Sequence, residues 1–158
     1  MRLLNAAALF SAVVTPLAAS AQAPAIPAIA DYSNARIMDG AWTHAATAGG
    51  IEAQFRNAAG QPQLFLTCVP ASRQLLIARP AMGAAPFLQL WTSSAARNLL
   101  ASFNPATRRL SATLLATDSL LDAMAMSRGR IAVGIAGQPA IVAPAWGEIS
   151  RVVEECRL

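Results

Sequence analysis

The chain has no lysine: all 12 of its basic residues are arginine. It has one histidine, His44, one tyrosine, Tyr32, and two cysteines, Cys68 and Cys156, and only 13% of its residues are charged. Each scarcity removes a class of chemistry. A zinc site asks for about four ligands, and two cysteines with one histidine at no recognisable spacing do not supply them. A catalytic thiol asks for an adjacent histidine and an exposed, electropositive setting. Serine hydrolysis of the GxSxG kind lacks its elbow, and the GxxG spacings in GIAG and GAWTHAATAGG have no following helix to bind a phosphate, so they read as turns. The missing lysine touches core edges and loops alike, which indicates coding bias rather than a site. The formal net charge of +4 is small and scattered, so nucleic acid is not an expected partner.

What is present begins with a leader. MRLLNAAALFSAVV places one positive residue, Arg2, before an apolar run too short to span a bilayer, and Ala19-Ser20-Ala21 offers small residues at a cut. Residues 1–21 are therefore expected to be a signal peptide cleaved after Ala21, which makes the protein periplasmic or secreted, with no transmembrane segment in the mature chain. Residues 22–36, rich in proline and alanine, read as a linker or arm, although Ile26, Ile29 and Tyr32 offer it a way to dock.

Export means an oxidising compartment, where the two cysteines are each other's only intramolecular partner. In QLFLTCV, Cys68 alternates with Leu64 and Leu66. In AWGEISRVVEEC, Cys156 shares a helical stripe with Trp146, Ile149 and Val153. Both sulfurs then point into the core, and a Cys68 to Cys156 bridge is expected.

Residues 37–158 read as one mainly β domain. IEAQF alternates most clearly, with Ile51, Ala53 and Phe55 opposite Glu52, Gln54 and Arg56, and it pairs with AWTHAAT across a glycine turn. QLFLTCV, RQLLIAR, PFLQLWTS, RNLLASF and RRLSATLLA follow, with Asn104-Pro105 turning between the last two. TDSLLDAMAMSRG is a short helix capped by Thr117 or Ser119 and stopped by Gly129. RIAVGIAG and PAIVAP form a tight hairpin, and a closing helix runs from about Ala145 to Cys156. The expected fold is an antiparallel β-sandwich of about nine short strands, with one short helix and a C-terminal helix tethered by the disulfide.

The stretch SLLDAMAMSRGRIAVGIAGQPAIVAPAWGEISRVVEEC resembles, in its order of short helix, glycine, strand, turn, strand and terminal helix, the carboxyl half of the invasion-associated locus B group of exported domains. It is also similar to uncharacterised exported alphaproteobacterial proteins. The resemblance implies a non-enzymatic β-sandwich of the cell envelope.

The remaining polar residues give few candidates. Asp118 with Asp122, and Glu148 with nearby arginines, are the only acid pairings to consider. His44 shares a strand face with Trp42 and Ala46 and reads as a structural histidine. Phe87, Trp91 and Phe103 are at strand spacing and read as core. Two arginine clusters, Arg108-Arg109 and Arg128 with Arg130, are the candidate contacts for an anion or partner. The expected function is a non-catalytic, exported binding or interaction module without cofactor or metal, its partner an unknown protein or envelope component. The alternatives are an inhibitor that inserts the loop ARPAMGAAPF into a secreted hydrolase, and a small envelope-acting hydrolase.

Overall fold

A computed structural model describes residues 25–158. The expected signal peptide and its cut fall outside the described residues. Alternation on the scale of two residues becomes a six-stranded antiparallel sheet in the order β1-β2-β3-β4-β8-β7 and a four-stranded one in the order β10-β9-β5-β6. The larger sheet takes β1 (Gly40–Thr47), β2 (Gly50–Asn57), β3 (Pro62–Val69), β4 (Gln74–Pro80), β7 (Ser102–Asn104) and β8 (Arg109–Leu115). The smaller takes β5 (Phe87–Trp91), β6 (Ala96–Leu100), β9 (Arg130–Ile135) and β10 (Gln138–Pro144). Two helices complete the fold, α1 (Ser119–Ala125) and α2 (Gly147–Glu155).

One face of the large sheet carries Ala53 and Phe55 from β2, Leu64, Leu66 and Cys68 from β3, Leu75 and Ile77 from β4, and Leu110 from β8, all fully or almost fully buried. Register aligns them in rows, Leu66 opposite Ile77 and Cys68 opposite Leu75. Two elements share the work of covering this face. Helix α2 packs on β1, β2 and β3, with α1 against it, while the small sheet meets β8 through β5 and β6. The α2 stripe of Ile149, Val152 and Val153 is buried, and each such side chain contributes about 1.5–3 kcal/mol relative to exposure.

The predicted disulfide is present. Cys68 and Cys156 are bonded with their Cα atoms 5.4 Å apart, so the end of α2 is fixed to the middle of the large sheet. At the start of β2, Gly50 has φ +143, and a Cβ there would collide with the Cys68 carbonyl oxygen, so glycine is required beside the bridge.

The structure corrects three local expectations. The described residues form ten strands where about nine were expected, because RNLLASF divides at Ala101 into β6 of one sheet and β7 of the other. The Ala101 amide still bonds the Pro86 carbonyl, but Pro86 has no N–H to return, so the pairing with β5 ends there and the chain crosses. Helix α1 is capped by Asp118, not Thr117 or Ser119: its carboxylate accepts from the Leu120 amide at 2.8 Å. Trp146 does not join the buried stripe of α2. It sits at the N-cap in extended conformation and is 46% exposed.

Residues 25–39 form no helix or strand, but they lie across the outer face of the small sheet. Asn98 donates to the Pro27 carbonyl at 2.8 Å, Tyr32 packs edge-on against Trp91, Arg130 donates to the Ala35 carbonyl, and the Met38 amide bonds Val142. Ala132 and Val142, which alternate onto this outer face, are consequently buried.

Candidate functional site

The end of the sandwich where β4, the β7–β8 turn and the β9–β10 turn meet is built by proline, asparagine and a bulge. Pro80 closes β4 and Pro86 precedes β5, each fixing its own φ. The loop between them is tied at both feet: the Ala81 amide donates to Arg108 at 3.0 Å, and the Pro86 carbonyl accepts from Ala101 at 3.1 Å. Ala81 is buried, whereas Met82 at the tip is 81% exposed. Across from it, Asn104 turns the chain by accepting from the Ala106 and Thr107 amides, and the turn places Arg108 in the left-handed region at φ 52.

Pro80, Ala81, Met82, Thr107, Arg108 and Gln138 line an open cavity of about 420 Å³. Arg108 is the one charged residue in this lining, and among the described residues no acid pairs with it. Behind the wall lies a second arginine that the sequence did not single out. Arg79 is only 7% exposed although it carries a cation. Its Nη1 donates to the Val133 carbonyl at 2.9 Å and the Pro139 carbonyl at 3.0 Å, tying the large sheet to both strands of the β9–β10 hairpin where β10 bulges between Gln138 and Ile141. Its Nε has no hydrogen-bond partner among the described residues. Burial lowers the guanidinium's hold on its proton, and the phenol of Tyr32 opposes that shift.

The other predicted arginines are used differently. Arg109, one residue along from Arg108, alternates to the outer face of the large sheet and lies 3.4 Å over the Phe65 ring, helping to cover that side chain. Arg130 is bonded to the Ala35 carbonyl. Arg128 is exposed and lines a separate cavity of about 570 Å³ with Ser93, Ser94, Asp122, Ala123 and Met126. That cavity includes an acid, Asp122, which pairs with Arg157 at 2.8 Å. One arginine of each pair, Arg108 and Arg128, thus lines a cavity, and the two cavities are separate.

Asp118 and Asp122 do not form a pair for acid–base work, since each takes its own arginine: Asp118 binds Arg97 at 2.7 Å. Burial alone would raise the Asp118 pKa, but the Leu120 amide and the Arg97 guanidinium outweigh it and hold the carboxyl below its ordinary value. His44 has a partner that the sequence reading missed, with its Nε2 2.8 Å from Glu155 Oε2. Glu52 accepts from Gln54 and Thr67 on the outer face. Phe103 is half-buried and packs against the core, whereas Phe87 and Trp91 are half-buried outside it. Among the described residues no group of three His, Cys, Asp or Glu side chains is placed to hold a metal ion, and no helix is long and apolar enough to cross a membrane. Compared with known protein families, curated proteins and solved structures, the chain matches none of them.

Proposed function

We propose that the protein is an exported, non-catalytic interaction module that engages a partner protein or envelope component through the Met82 loop and the Arg108 cavity. The observation that carries this reading is the pairing of an exposed Met82 with a loop fixed at both feet, beside a cavity whose one charge has no counterion among the described residues. A methionine in water loses the burial it could have, and a polarizable, adaptable side chain suits a contact surface. A loop already ordered loses little entropy on binding. Export is supported by the leader-like start of the chain and by the disulfide, which persists in oxidising compartments. The likeness of residues 119–156 to the invasion-associated locus B group supports the same envelope setting.

The pinned loop favours one particular version of this reading, an inhibitor whose tip enters the cleft of a secreted hydrolase. The test is capture from envelope extract with wild type, Met82→Ser and Arg108→Gln as baits. The expected result is one stoichiometric partner, lost with both variants. A hydrolase inhibited by wild type alone identifies the inhibitor version, and equal capture by all three baits contradicts the reading.

A further inference from the structure

We infer that the Arg108 cavity is a carboxylate-binding subsite, in which Arg108 takes the anion and the wall of Pro80, Ala81 and Met82 takes the apolar group attached to it. The inference rests on the interaction reading above and names the ligand chemistry of that site. Three observations lead to it. The lining is one guanidinium among mostly apolar atoms, with the Thr107 hydroxyl and the Gln138 amide as the remaining polar groups. Arg108 has no acid to release before binding, since none of the described residues pairs with it. Arg79 lies close behind, paired in register with Leu110, two residues from Arg108, and bonded to Pro139, the residue after Gln138.

The Arg79 charge is buried against neutral carbonyls, with one N–H unsatisfied and no carboxylate among its bonded partners. Such a cation leaves positive potential at the wall of the open cavity, where it adds to the Arg108 charge in drawing an arriving anion. A carboxylate matches the guanidinium fork and carries a single charge. A phosphate dianion would bring a second charge against a lining with one direct cation, whereas a carboxylate's single charge is matched by Arg108. The ligand is therefore an apolar residue bearing a carboxylate, as at a chain terminus.

The experiment uses the oxidised mature protein and follows arginine Nε–H resonances by NMR during titration with N-acetyl-leucine, whose carboxylate is free, and with N-acetyl-leucinamide. The expected result is a saturable shift of the Arg108 and Arg79 signals by the acid, binding at least about tenfold tighter than the amide. Arg108→Gln removes the preference, Arg108→Lys retains part of it, and Arg109→Gln leaves it unchanged. Equal binding of acid and amide, a preference that survives Arg108→Gln, or tighter saturable binding of inorganic phosphate at the same resonances would overturn the inference. The outcome is separable from the interaction reading, because capture that depends on Met82 but shows no carboxylate preference defeats the subsite alone.

Discussion

The Arg79 guanidinium reaches from the large sheet to the Pro139 carbonyl of the small one, and the same nitrogen also bonds the Val133 carbonyl. One side chain thus bridges the two layers at the bulge in β10. Arg79→Ala leaves two inward carbonyls without this donor and opens a void. The expected cost is about 2 kcal/mol or more, read as a lower urea midpoint at unchanged slope. A variant as stable as wild type would mean that relieving the buried charge outweighs the lost bonds.

The disulfide joins residues separated by 88 positions, so it restrains a long loop in the unfolded chain. The chain-entropy account assigns such a loop about 4–5 kcal/mol. Cys68→Ala with Cys156→Ala is expected to lose most of this in urea unfolding, and α2 is the element whose amides should show the greatest rise in hydrogen exchange.

Asp118 caps α1 and pairs with Arg97. Its carboxyl is held below the ordinary value in the folded state, so its contribution is complete above the unfolded pKa and disappears as pH falls through the folded one. Asp118→Ala is expected to cost about 1 kcal/mol at neutral pH, and the gap to wild type should narrow in acid. Asp118→Asn, which keeps the cap but not the charge, should lie between them. A gap independent of pH would assign the whole effect to the neutral cap.

His44 and Glu155 are 111 residues apart in sequence and 2.8 Å apart in space, both partly sheltered. A double-mutant cycle with His44→Gln and Glu155→Gln is expected to give a coupling of about 0.5–1 kcal/mol. No coupling would make the pair a contact without energetic weight.

Most of the fold follows from alternation in the sequence. Ala53 and Phe55 in IEAQF, and Leu64, Leu66 and Cys68 in QLFLTCV, face the core as their spacing requires, and the bridge to Cys156 follows from those faces. The division at Ala101 was not legible, because RNLLASF keeps its period while the chain changes sheets, and that choice belongs to Pro86 and Ala101. Trp146 continued the helical period but fell on the N-cap, where helical geometry has not begun.

Of the candidate site, Arg108 was visible as one member of a pair, but nothing local separated it from Arg109. A turn residue at φ 52 and a strand residue over Phe65 differ only once the register is known. Arg79 went unnoticed because its place in RQLLIAR matches the core face and arginine there looked like a strand end. His44 and Glu155 had one usable signal: the neighbouring Cys156 is tied to Cys68, which pairs with Ile51 on β2, and Ile51 in turn with Ala46 on β1.

The proposed function requires that the Met82 and Arg108 end of the sandwich meets a partner. The direct measurement places a photo-crosslinking residue at position 82, 107 or 113 of the exported protein and irradiates intact cells, since Thr113 on β8 lies away from the cavity. One discrete adduct is expected from positions 82 and 107, none from 113, and loss of the adduct with Arg108→Gln. Adducts from all three positions alike, or none from position 82, would contradict the proposed function.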